Sequence, residues 1–383
     1  MNEDEFVKKR YRFDRMIKNL GMIAVGTSCL FLVILLSCIV FKASSAFTSY
    51  EIKVDLVNTS ISNEDEANKF LRQLIFPETN QLEFFSITAQ EKIVNMAQKK
   101  AIWVLASAKL NNALANGEMD NFSIEARKVI AKLQENKLIQ KKFNYDFFTS
   151  QESREPEVAG ILTSFIGSMY TILVCLMVAL PISVCAAIYL EEFAPKNILT
   201  TLVEVNINNL AAVPSIVFGL LGLAILINFF GFPRSAPITA GITLAMMIFP
   251  AMIITTRQAL RTIPTSIKHA ALALGATKTQ IIMHHTLPLA IPGIMTGVIL
   301  SIARAIGETA PLILIGMLAF IVDIPQSIFD PATVLPVQIF LWADSPEQAF
   351  QAKTSAAILV LLGILIFINM IAVYIRKKYE HRW

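Results

Sequence analysis

Six stretches of this chain run almost free of charge for 19 residues or more: 19–41, 161–190, 208–230, 238–256, 293–320 and 354–375. At about 1.5 Å per helical residue, each can cross a hydrocarbon layer about 30 Å thick. No buried soluble core needs apolar runs of this length and number. Only 16% of the residues are charged and mean hydropathy is +0.57, which excludes a water-soluble enzyme, a nucleic-acid binder and a disordered scaffold. The expected fold is an all-α polytopic membrane protein with six transmembrane helices. The first stretch, at 23 residues, exceeds the 7–15 residue core of a cleavable signal and reads as a retained span.

Charge placement orients these spans. Residues 1–18 carry six Lys or Arg, and 376–383 carry four. With both termini cytoplasmic, the 257–292 loop also lies inside, with Arg257, Arg261, Lys268 and Lys278 and no acid. The 321–352 segment then lies outside, with Asp323, Asp330, Asp344 and Glu347 and no base. This is the positive-inside pattern. The 191–207 loop reads weakly, with Glu191, Glu192 and Glu204 against Lys196.

A polar insert at 42–157 separates the first two spans, its 15 bases nearly balanced by 16 acids. Tyr50, Ile52, Val54 and Leu56 alternate with polar residues and predict one short strand. Helices are expected over 63–76, stopped by Pro77; from Thr88, with Glu91 in a capping box, to about 114; and from a Ser123 cap to about 138. The apolar run 101–108 is too short to cross a membrane and reads as the core of a small, mainly helical extracytoplasmic domain. Cys29 and Cys38 share one span and Cys175 and Cys185 another, too far apart along a helix to bond within each pair. His284 and His285, adjacent in sequence, point about 100° apart on a helix and do not form a metal pair; no metal site, cofactor or catalytic residue is expected.

No Gly-x-x-x-x-Gly-Lys-[Ser/Thr] phosphate loop occurs, so any ATP would be hydrolysed by a partner. Within 257–292, Pro264 suits a first helical turn, 265–274 a short helix, Gly275 its C-terminal stop, and Thr277 the start of a second helix ended by Pro288. Two such helices beneath the bilayer suit a rigid lever. An amphipathic segment resting in the lipid interface fits the same pattern.

His269-Ala-Ala-Leu-Ala-Leu-Gly275 with Leu287-Pro288 resembles the EAA loop of ABC importer permeases, whose helix docks into the ATPase subunit. Arg304-Ala-Ile-Gly-Glu-Thr-Ala-Pro311 and the run from Asn209 to Leu223 resemble the PstA family of phosphate permeases, and the resemblance extends over 160–383. It implies the type I ABC importer permease fold. With the spans and charges above, the expected domains are 1–18 (cytoplasmic tail), 19–41 (first span), 42–157 (insert), 158–375 (permease, with the 257–292 coupling loop) and 376–383 (second tail). The resemblance further implies ATPase coupling through His269, Ala270, Ala271, Gly275, Leu287 and Pro288. The implied partners are a PstC-like permease, a PstB-like ATPase dimer and a PstS-like phosphate-binding protein, with phosphate as cargo. His269 stands where the family usually has Glu, and the insert is absent from its shorter members.

Arg304 and Glu308 stand out as ionisable residues within an apolar stretch, and each costs about 2.5–3.5 kcal/mol at mid-depth. Four residues apart, they share a helical face. They can supply positive potential along an oxyanion pathway with Thr309, or form a permanent pair that pins helices. Ser301, Asn208 and Asn209 are further donors, or caps of their own helices. Pro181, Pro214, Pro250 and Pro311 predict kinks or breaks, and Gly293, Gly297 and Gly307 a thin face for close packing. A permease for sulfate, molybdate or phosphonate fits the same spans, as does a membrane sensor with an external domain.

Overall fold

The structure is a computed structural model that describes residues 3–55, 84–86, 88–95, 101–117, 119 and 122–379. Apolar segments without water must satisfy every backbone N–H and C=O internally, so they become helices. Among the described residues, five are long and apolar enough to span a bilayer: Arg10–Ala43, Leu162–Phe193, Pro237–Arg261, Lys278–Gly307 and Ala349–Tyr379.

The stretch at 208–230 is broken as Pro214 predicts: two helices, Ile198–Ala211 and Ser215–Phe229, meet there at 105°. Asn197 starts the first arm, its side chain accepting from Thr200 N–H at 2.9 Å. Pro214 sets the break: it has no N–H to continue the ladder and it disfavours helix in the residue before it. The stretch expected at 293–320 is broken as well. Its helix ends at Gly307, Glu308 is extended (ψ 124°), and a short helix follows at Ala310–Leu314. Pro311 in an unbroken helix would clash with the carbonyl of Gly307. Pro181 and Pro250, by contrast, lie inside helices that run on through them.

Pro237–Arg261 is the central helix, packed between the second and fifth spans, while the fifth packs on the sixth and the first on the sixth. Small residues set the fourth–fifth seam. A Cβ on Gly293 would fall 2.5 Å from the Ala259 Cβ, and one on Gly297 would fall 2.2 Å from Thr255 Oγ1. Gly307, expected on that same thin face, meets nothing within 4 Å and instead ends the helix.

The insert holds a three-stranded antiparallel sheet of β1 (Thr48–Asp55), β2 (Ala101–Leu105) and β3 (Ile139–Phe143), with β1 in the middle. Register places Ile52 opposite Val104 on one side and Ile139 on the other. In strand β1 the expected Ile52 and Val54 are buried while Leu56 lies outside the described residues, and Ser123 caps Ile124–Glu135 through Ala126 N–H. The single helix expected from Thr88 to about 114 is corrected: it is helix Thr88–Asn95, strand β2 and helix Ala108–Asn116. Ile102 and Val104 alternate inward in β2, a period of two that an apolar run of this length hides until a partner strand is present. Among the described residues the insert is therefore an α+β unit around Ile52, Val54, Phe84, Ile93, Val104 and Leu110, with two strands beyond the one expected. The helix expected at 63–76 lies outside the described residues. A second cluster of Ala46, Phe147, Ile161, Trp342 and Phe350 roots the insert on the ends of the second and sixth spans.

Candidate functional site

At the opposite end of the bundle from the insert, the fourth span turns at Thr262–Pro264 into the short helix Thr265–Ala273. Gly275 closes it at φ +85°. Its N–H bonds the Leu272 carbonyl at 2.9 Å and the Ala276 N–H bonds Ala271 at 3.1 Å, the paired bonds of a Schellman stop. Two residues later Thr277 and Gln280 cap each other reciprocally, so chain direction is fixed on both sides of the turn. Of the residues singled out here, His269, Ala270 and Gly275 are exposed, Ala271 is buried against the body, and Leu287 and Pro288 are half-buried. The outer surface of the turn is apolar: Leu272 is 51% exposed, Leu274 90% and Met283 55%.

The second helix does not end at Pro288. Lys278–Ile281 continues through a π-turn, Ile282–Thr286, into Leu287–Gly307. The Leu287 N–H reaches back to the Ile282 carbonyl, and this wider turn places the missing N–H of Pro288 where the regular ladder is already interrupted. The turn is thus one short helix joined to a 30-residue span, rather than two short helices.

Arg304 Nε lies 3.6 Å from Glu308 Oε1, with side chains 41% and 21% exposed. Both belong to the last turn and cap of one helix, so this contact cannot pin two helices together. Partly exposed pairs of this kind contribute about 0.2–1 kcal/mol. Thr309 opens the next short helix, its carbonyl accepting from Leu312 and Ile313. Ser301 is buried, whereas Asn208 and Asn209 are exposed on the arm leading to the Pro214 break. The two breaks come together: a Cβ on Gly219 would sit 2.6 Å from Pro311 Cα.

Three groups escaped sequence reasoning. Glu191, Glu192 and Glu204, the acids that blurred the 191–207 loop, are paired with Arg257, Arg261 and Lys268. Three acids facing the four bases of the acid-free 257–292 loop were the available signal. Lys353 is a further ionisable residue inside a span: it is 6% exposed, donates to the Ala159 carbonyl, and has Nζ 6.0 Å from the Phe147 ring centre. Glu152, 7% exposed, accepts from Ile321 N–H at 3.2 Å; burial raises its pKa above the usual 4.5, partly offset by hydrogen bonds.

Residues 179–381 match the family model described as binding-protein-dependent transport system inner membrane component, and 4–145 match a domain of unknown function, DUF3333. The chain is 29% identical over 238 residues to the probable ABC transporter permease protein YqgI of Bacillus subtilis, covering 58% of this chain and 80% of that one. It is 34% identical over 221 residues to the phosphate transport system permease protein PstA of Mycobacterium leprae, covering 56% and 70%. Against the same-named protein of Yersinia pestis it is 33% identical over 229 residues, covering 58% and 74%.

Proposed function

The chain belongs to the family of binding-protein-dependent transport system inner membrane components, and on that premise we propose that it is the PstA-type permease subunit of an ATP-driven phosphate importer. It is a non-catalytic, multi-pass membrane subunit that works with a separate ATPase and a binding protein. The observation that carries the phosphate reading is its likeness to phosphate permeases over most of their length. In finer detail, a PstC-like permease completes the pathway, a PstB-like ATPase dimer docks on the Thr265–Ala273 turn, and a PstS-like protein delivers phosphate from outside.

In this reading both termini and the Thr265–Ala273 turn are cytoplasmic, and 42–157 is an extracytoplasmic domain. Exposed Leu272, Leu274 and Met283 supply the apolar contact, and His269 replaces the acid usual in the loop. Closure of the ATPases moves the turn, and the fifth span, continuous from Lys278 to Gly307, carries that motion to its far end. There Arg304, Glu308 and Thr309 stand at a helix break. An oxyanion shedding water needs a fixed positive potential and donors, which Arg304 and Thr309 supply. Glu308 holds the guanidinium when the pathway is empty and competes with the anion when it is filled.

Arg304→Ala in the reconstituted four-component complex is expected to lower phosphate uptake at least tenfold with assembly intact. Normal uptake by that variant would remove Arg304 from the pathway. Competition by sulfate, molybdate or phosphonate at equimolar concentration would reassign the cargo.

A further inference from the structure

The end of the bundle that carries the coupling turn also holds a charge cluster that the EAA-like motif does not include. The second span closes in a π-turn, Tyr189–Phe193, which presents Glu191 and Glu192. Arg257, on the fourth span, reaches Glu191 with Nε at 3.3 Å and Glu204, on the first arm of the bent third span, with Nη2 at 2.6 Å. Arg261 Nε lies 2.9 Å from each Glu191 oxygen. Lys268, on the coupling helix itself, places Nζ 2.5 Å from Glu192 Oε1.

These contacts differ from ordinary surface pairs. The side chains of Arg257, Glu191, Glu192 and Lys268 are only 12%, 18%, 10% and 23% exposed. Pairs withdrawn from water to this degree are screened little by salt, and loss of one partner strands the other. Their placement is also selective. Along Thr265–Ala273 only Ile267, Lys268 and Ala271 turn inward, and the remaining side chains are exposed. Ile267 and Ala271 make apolar contacts that can slide, whereas a charge pair fixes one point of the helix to one point of the second span.

We propose that the Lys268–Glu192 bridge, backed by the fork of Arg257 between Glu191 and Glu204, is the strap through which the coupling helix pulls on the second and bent third spans. Without it, motion of the turn would reach the fourth and fifth spans, to which the short helix is joined at Thr262–Pro264 and Gly275–Lys278, and would reach the second only through apolar contacts that can slide. With it, one displacement is delivered to both sides of the central helix. Lys268 and Glu192 are thus positioning residues for transport, and the inference rests on the coupling role proposed above.

The test is phosphate uptake per ATP hydrolysed by the complete complex in proteoliposomes, for Lys268→Gln, Glu192→Gln and the exchanged pair Lys268→Glu with Glu192→Lys. Uptake per ATP is expected to fall at least fivefold in each single variant and to return to at least half its normal value in the exchanged pair. A ratio unchanged in both single variants would overturn the strap. So would a fall that the exchange does not rescue, or loss of subunit assembly, since either marks the pair as structural support. Failure of the underlying coupling assignment is read separately: Leu274→Cys would then give no cross-link to the ATPase subunit, whatever the strap variants do.

Discussion

Gly275 occupies the left-handed region with nothing within 4 Å of where a Cβ would stand, so a side chain there meets strain but no clash. Gly275→Ala is expected to cost about 1–2 kcal/mol and to fray the last turn of Thr265–Ala273, seen as faster amide exchange over residues 270–276. Gly275→Asn, which tolerates this conformation, should exchange more nearly as the native chain does. This position was legible in sequence because the stop follows a helical run and precedes a Thr cap. Glu152 was not, because nothing in the residues around it announces burial; its environment comes from Ile321, 169 positions away. Since burial raises its pKa, the fold favours the protonated form. That contribution is present at low pH and is lost as pH rises through the folded-state value. Glu152→Gln should therefore raise the melting temperature of the purified protein at pH 8, with the gap closing towards pH 4.5, the ordinary carboxyl value. A gap that is constant with pH would remove ionisation as the cause.

The helices follow the charge-free stretches, but where they break depends on contacts between them. Pro214 and Pro311 mark breaks, whereas Pro181 and Pro250 do not, and local sequence does not separate the two pairs. What separates them is that the broken segments meet, with Gly219 against the backbone of Pro311. A Cβ at 219 would stand 2.6 Å from Pro311 Cα and 3.0 Å from its carbonyl oxygen, and backbone cannot yield as a side-chain tip can. Gly219→Ala should destabilise the protein by about 1–3 kcal/mol and lower uptake by shifting the break next to Arg304. Gly363→Ala, with nothing within 4 Å, is the matched control and should change neither. Strand β2 was hidden for a related reason. Its run Ala101–Leu105 is apolar enough for a buried helix, and only pairing with β1 decides its period.

Across the whole molecule, charge is sorted to the two ends of the spans. The acids of 191–204 weakened the sequence argument for orientation when counted as free charges, yet each is matched by Arg257, Arg261 or Lys268. Lys278 at that end is matched by none of them, which supports the proposed cytoplasmic placement of the turn. In the proposed orientation the insert falls on the other side of the bilayer. Its root is close to the membrane surface, because Asn144 Nδ2 bonds the Ala46 carbonyl, three residues past the end of the first span, at 2.9 Å. Tyr145, 70% exposed, and His269, exposed on Thr265–Ala273, therefore report on opposite faces. In intact cells carrying a chain with Cys29, Cys38, Cys175 and Cys185 replaced, Tyr145→Cys should react with a membrane-impermeant maleimide. His269→Cys should react only after permeabilisation. The reverse pattern would place the Thr265–Ala273 turn outside the cell, where no ATPase could dock on it, and the coupling role would fall with the orientation.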